Sequence, residues 1–301
     1  MNAKALALHH QNETPESLDR LRWLVTGLWI FKIVTEPVSV WKHLPMSLFD
    51  PVGFMKVLPE FVYPWLVQPA FLWGLKGVTI LLLLCAASNI MRNIAAVGAC
   101  LLLTFYQGIF RGFAGHIPHV DAVALYALYF LAVFPLADQW VRKHDSRSHP
   151  SWNPSEVSFV AILFVLCLSY TLVGVYRIVH AGPEVFTGGS IHFWMMRNSY
   201  QHSEGYRQIV NFVFDTPFLR WMLQVGFPVV TAFEVLAPCC LFSRRFRLAF
   251  LAVMIPFHFL SQILLRVFFW ENLVLYVLLL DEKLWRRING LDGAPGRRSA
   301  A

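Results

Sequence analysis

The chain repeats one pattern that water-soluble folds rarely use: stretches of about twenty residues nearly free of charge, parted by short polar joints. Residues 70–91, 94–113, 119–140, 156–180 and 221–243 all read this way. A helix of about twenty residues covers the ~30 Å hydrocarbon core of a bilayer. The composition agrees. Hydrophobic residues make up 57% of the chain and charged ones 14%, against roughly 45–50% and 25% in soluble domains. Mean hydropathy is +0.53. These features exclude a disordered chain, a collagen-like chain and an ordinary soluble enzyme. The expected fold class is all-α, a polytopic integral membrane helical bundle of about eight transmembrane helices.

Three further segments complete that count. The first, 21–41, is interrupted by Lys32, Glu36 and Pro37. The stretch 42–69 is rich in proline and aromatics and is expected to lie along the membrane interface. Residues 181–220 are the longest polar interval, and 246–280 is long for one helix and short for two. Lysine and arginine positions decide between them. With eight spans one side collects fifteen basic residues and the other six; with seven spans the numbers are ten and eleven. Eight spans therefore place a tight turn near Trp270-Glu271-Asn272 and both termini in the cytoplasm. The expected organisation is a polar cytoplasmic tail (1–19), one membrane domain (20–284) and a basic cytoplasmic tail (285–301), in a bacterial inner or plasma membrane. The polar N-terminus has no apolar core of a cleavable signal, so the first span is expected to direct its own insertion. The net charge of +7 fits basic loops facing anionic lipid, and no nucleic-acid partner is expected. The five cysteines sit in apolar runs without metal-binding spacing.

Ionisable groups at membrane depth are costly and face a cavity or one another. Lys32, Glu36, Lys76, Arg111, His116, His119, Arg177, Glu234, His258 and Arg266 are such groups. In the eight-span topology most share the outer half of the membrane, which points to a shared polar cavity. Glu36, four residues after Lys32, could pair with it on one helix face. His116 and His119 are spaced as metal ligands could be, yet Gly115 and Pro118 mark a helix start, where His119 or Asp121 caps free backbone groups. No metal is assigned. Glu234 fits either an interhelical hydrogen bond or a proton carrier.

Four stretches in order carry a resemblance: GHIPHVDAVALYALYFLAVFPLAD (115–138), YTLVGVYRIVHAGPEVFTGGS (170–190), FEVLAP (233–238) and RRFRLAFLAVMIPFHFLSQILLRVFFWEN (244–272). Over roughly 20–280 the chain resembles the membrane domain shared by vitamin K-dependent gamma-glutamyl carboxylase and the bacterial HTTM (horizontally transferred transmembrane) proteins. The family motif Tyr-Phe-x-x-Gly-x-x-Lys corresponds to Tyr170 through Arg177. The carboxylase uses that lysine as the base that attacks reduced vitamin K. Arginine keeps its proton, so the resemblance implies a protein that is not itself a gamma-carboxylase, unless Lys76 or Lys32 stands beside Arg177. The large lumenal domain with which the carboxylase binds its protein substrate has no counterpart in the chain. His119 matches a family histidine at the start of the fourth segment, and His258 matches the Phe-His of the seventh.

Three functional readings follow. The first is an HTTM-type membrane enzyme acting on a lipid-soluble, quinone- or isoprenoid-like substrate. In it His119, Arg177 and His258 are catalytic, while Arg111, His116, Lys76, Tyr170 and Glu234 bind substrate. The cofactor is left open, with a quinone or other lipid-soluble redox molecule as the candidate. Membrane lipids and a redox or other membrane protein are the candidate partners. The second reading is a non-catalytic subunit whose polar residues hold helices together. The third is a small transporter, for which the internal repeats typical of that class are not found.

Overall fold

A computed structural model describes residues 16–38, 43–88, 90–113, 119–144, 154–187, 189–201, 203–265 and 269–280. All regular elements among them are helical. They gather into two compact units, with the boundary inside one long helix between Ile162 and Leu163.

The first unit holds α1 (Glu16–Thr35), α2 (Tyr63–Leu66), α3 (Pro69–Ala87), α4 (Arg92–Gly112), α5 (His119–His144) and the first part of α6 (Pro154–Ala181). Helix α1 packs on α3 and α5, and α4 packs on the same two, closing a ring of four helices. Leu21, Val25, Leu28 and Lys32 follow the helical repeat, so α1 turns one face inward; its three leucine and valine positions are buried. Helices α1 and α5 run antiparallel in steady register. Arg22 donates to the Leu131 carbonyl (2.9 Å), Trp29 Nε1 to the Ala124 carbonyl (3.4 Å), and Lys32 meets Asp121. Prolines at 45, 51, 59 and 64 keep the chain between α1 and α3 from forming a long helix. It forms 3₁₀ turns at Met46–Leu48, Gly53–Val57 and Glu60–Val62 instead. The Phe49 ring wedges 5.1 Å from both Tyr63 and Phe113, and Asp50 N–H donates to the Gly112 carbonyl at 2.8 Å.

The second unit comprises the rest of α6, then α7 (Glu184–Thr187), α8 (Gly189–Gln201), α9 (Glu204–Asp215), α10 (Pro217–Val235), a 3₁₀ turn (Ala237–Leu241), α11 (Arg244–Leu265), α12 (Trp270–Leu275) and α13 (Val277–Leu280). Helix α6 stops because Gly182 adopts a left-handed φ of +53° and its N–H closes on the Ile178 carbonyl at 3.0 Å. Pro183 follows. The polar interval 181–220 is helical for most of its length. Tyr206, Val210 and Val213 share one face of α9 and pack with Val185, Ile191, Met195, Phe227 and Leu264.

Among the described residues, five helices are long and apolar enough to cross a membrane: Pro69–Ala87, Arg92–Gly112, Asp121–Val141, Glu156–Ala181 and Arg244–Leu265. The other expected spans differ from these. Helix α1 has 20 residues but carries Asp19, Arg20, Arg22 and Lys32, and α10 has 19 but carries Arg220 and Glu234. The stretch 246–280 divides into α11 and two helices of six and four residues.

Candidate functional site

The second unit builds its polar centre on one face of α6. Tyr170, Gly174 and Arg177 lie at i, i+4 and i+7. Gly174 makes the arrangement possible. A Cβ there would stand 2.9 Å from the Val235 nitrogen and 3.0 Å from the Glu234 Cβ, so only glycine lets α10 approach this closely. Thr171 Oγ1 reaches the Val235 carbonyl at 3.4 Å. Above Gly174, Arg177 Nη1 donates to Glu234 Oε2 at 2.6 Å. The Glu234 side chain is 2% exposed and that of Arg177 is 22%. The guanidinium also lies over the rings of Phe227 (5.2 Å) and Phe257 (5.6 Å), a desolvated cation–π setting.

Below Gly174, the Tyr170 hydroxyl lies 2.7 Å from His258 Nε2, and the Tyr276 hydroxyl lies 2.8 Å from the same nitrogen. The two phenols touch each other, and Asn272 Nδ2 donates to the Tyr170 oxygen at 2.8 Å. Tyr170, His258, Asn272 and Tyr276 are all buried. Phe250 and Phe269 close over them, with ring centroids 5.3 Å from Tyr170 and 4.8 Å from His258. A neutral Nε2 has one lone pair, so only one phenol can donate to it at a time. One consistent assignment has Tyr170 donating to His258 while accepting from Tyr276 and Asn272. A proton can therefore pass along two phenols and an imidazole without any group leaving its place. Among the described residues, buried polar atoms without a hydrogen-bond partner include Asn272 Oδ1 in this network and Ser261 Oγ, on α11 one turn from His258.

Ile178 and Val235, sequence neighbours of Arg177 and Glu234, help line an open groove of about 190 Å³ with Phe186, Pro228, Thr231 and Ala232. Its walls are apolar, since the Thr231 hydroxyl is turned to the Phe227 carbonyl at 2.9 Å.

The first unit builds a separate polar cluster. Lys32 and Arg111 both bind the Asp121 carboxylate, which is 2% exposed. Lys32 thus binds Asp121 while remaining within electrostatic reach of Glu36, whose carboxylate lies beside the Tyr106 hydroxyl. Lys76, expected as a substrate-binding residue, donates to the Val34 (3.2 Å) and Glu36 (3.0 Å) carbonyls and caps the end of α1. Arg111 bridges α4 to α5.

Of the residues singled out in the sequence, Tyr170, Arg177, Glu234 and His258 come together in the second unit, while Lys76 and Arg111 belong to the first. Lys32 and Lys76 have partners of their own in the first unit. His116 and Arg266 lie outside the described residues, as does the side chain of His119, whose backbone begins α5. Sequence reasoning missed Tyr276, which sits at the turn between α12 and α13, and Asn272, because it placed Trp270-Glu271-Asn272 in a tight turn where the structure has the helix α12. The available signal was the polar pair Glu271-Asn272 within an apolar stretch. Among the described residues, no three His, Cys, Asp or Glu side chains converge as metal ligands would.

No protein-family model, curated protein or solved structure matches the chain.

Proposed function

We propose that the protein is an integral membrane enzyme of the HTTM type that acts on a lipid-soluble, quinone- or isoprenoid-like substrate at the centre built in its second unit. The observation that carries this reading is the buried Tyr170–His258–Tyr276–Asn272 network about two helical turns along α6 from the Arg177–Glu234 pair. Buried polar groups in an apolar bundle are expensive, and an imidazole held between two phenols is suited to moving a proton. Substrate arrives from the lipid through the apolar groove at Ile178 and Val235. Arg177 offers a charged donor to an anion or developing oxyanion, and Glu234 neutralises it in the resting state. Asn272 Oδ1 and Ser261 Oγ supply unfilled hydrogen-bonding capacity beside the network.

The protein is not itself a gamma-carboxylase in this reading, because Arg177 occupies the place of the basic lysine. The topology that goes with it has eight crossings and both termini in the cytoplasm of a bacterial cell, supported by the distribution of basic residues. The deciding experiment is the paired substitution Arg177→Ala and His258→Ala in the intact host. The account expects full membrane insertion with loss of the phenotype that the native gene supports. Full insertion with an unchanged phenotype sinks the enzyme reading.

One observation favours a second reading, a non-catalytic membrane subunit. The phenol–imidazole network closes largely on itself and Arg177 has its counter-charge, as interhelical glue requires. A stable partner protein that co-purifies equally with the Arg177→Ala, His258→Ala variant supports that alternative.

A further inference from the structure

Helix α10 runs back along α6. Val235 packs at Gly174 and Glu234 pairs with Arg177. Ile178 shares the groove with Thr231, and Phe186, beyond the end of α6, shares it with Pro228. The end of α6 at Ala181 is therefore level with about Pro228. Residues 217–227, about 16 Å of helix, stand past it. Helices α8 and α9 pack against this projecting part through Tyr206, Val210 and Phe227. They also fasten the end of α11. The Tyr206 hydroxyl donates to the Leu264 carbonyl and Asn198 Nδ2 to the Leu265 carbonyl at 2.8 Å. These are carbonyls that a helix end leaves without partners. Two helices long enough to span, α6 and α11, thus finish at the same small helical assembly.

The outer face of that assembly is aromatic. Phe193, Trp194 and Tyr200 on α8, Phe212 on α9, and Phe218 and Trp221 on α10 are all exposed. Arg197 lies 5.0 Å over Trp194, and Arg207 lies 5.9 Å from Tyr200. Phe193 and Trp194 lie ring to ring, as do Phe218 and Trp221, and so many large exposed aromatics on one small assembly are what water-facing surfaces avoid. Tryptophan, tyrosine and arginine with apolar neighbours are instead the composition of the membrane–water boundary. The joints are short: Gly182-Pro183 separate α6 from α7, and Thr216 separates α9 from α10.

We propose that α7, α8, α9 and the first half of α10 form an interfacial cap whose aromatic face is seated in the lipid headgroup layer where α6 and α11 end. The cap holds the mouth of the apolar groove at the top of the acyl chains, the level at which a lipid-soluble molecule would enter. It rests on the membrane reading above and is independent of the chemistry assigned to the Tyr170–His258 network.

The test uses the full chain in phosphatidylethanolamine–phosphatidylglycerol vesicles, with its five cysteines replaced and a nitroxide attached at Phe193→Cys, Tyr200→Cys or Phe212→Cys. Collisions with oxygen and with a water-soluble nickel chelate report depth. A label at Leu172→Cys, on the exposed side of α6, reports the hydrocarbon core. The cap labels are expected within about 5–10 Å of the headgroup boundary, and the Leu172 label well below it. Cap labels with full access to the chelate, at the depth of Leu172, or shielded from both reagents by protein overturn the cap. A water-exposed Leu172 label overturns the membrane reading and the cap with it. Should the cysteine-free chain not fold, benzoylphenylalanine at 193 and 200 in the native-cysteine protein gives the same decision. Photo-crosslinks to phospholipid support the cap, and crosslinks to protein alone overturn it.

Discussion

An imidazole with 1% exposure is tolerable among apolar helices only when hydrogen bonds replace its hydration. His258 Nε2 accepts from either the Tyr170 or the Tyr276 hydroxyl, one at a time, and the two phenols hold each other. Tyr276→Phe removes one hydroxyl while keeping the ring, so the expected cost is about 0.5–1.5 kcal/mol; thermal unfolding in detergent measures it. The ion pair two turns along α6 behaves differently. Glu234→Gln leaves the Arg177 guanidinium without its counter-charge in a mostly apolar setting. Because Arg177 is partly exposed, the expected loss falls at or below the low end of the roughly 3–5 kcal/mol typical of broken buried pairs. Replacing both partners, Arg177→Met with Glu234→Met, is expected to recover most of that loss. A double variant less stable than Glu234→Gln would contradict the pairing. At this scale the sequence was informative about charge. Arg177, Glu234 and His258 stand out because ionisable side chains are rare in apolar runs. Tyr276 and Asn272 do not, since their meaning depends on which helices fold together.

Close packing of α6 on α10 depends on one missing side chain. Gly174→Leu forces the two backbones apart, with an expected cost of about 1–3 kcal/mol from overpacking. It also lengthens the Arg177–Glu234 contact, which distance measurements between labels on α6 and α10 can register as a separation larger than in the native chain. The cap carries its own sensor of acidity. Burial, reinforced by the Arg220 guanidinium, holds the His192 imidazole below its ordinary value. The unfolded chain then binds a proton more readily than the folded cap, so stability is full above the ordinary histidine value of about 6.5 and declines as pH falls through it. Melting curves between pH 7.5 and 5.5 are expected to show that decline in the native protein and a smaller one in His192→Gln. The long apolar helices were legible from hydropathy because their faces need not differ. The interval 181–220 was not, because an amphipathic helix is half polar in composition and averages to a loop. Only the spacing of Tyr206, Val210 and Val213 shows its buried side.

On the scale of the whole molecule, described residues whose regular elements are all helical, five of them long and apolar enough to span, fit the membrane class expected from composition. The finer count of eight rests on charge distribution, and the remaining elements differ in character from the five. Helices α1 and α10 are long enough but carry charges that other helices must satisfy, as Asp121 does for Lys32 and Glu234 does for Arg177. Charge bias reports the side on which a loop lies and says nothing of how a polar helix is satisfied. The grouping of site residues was also only half legible, since depth alone cannot separate residues that belong to different compact units. The central claim is that the second unit binds a lipid-soluble molecule beside the Tyr170–His258 network. Mass spectrometry of the lipids that co-purify with the native protein and with the Arg177→Met, Glu234→Met variant tests it most directly. The account predicts a quinone- or isoprenoid-like species enriched with the native protein and depleted from the variant. Identical lipid profiles from two equally well-folded proteins would contradict it.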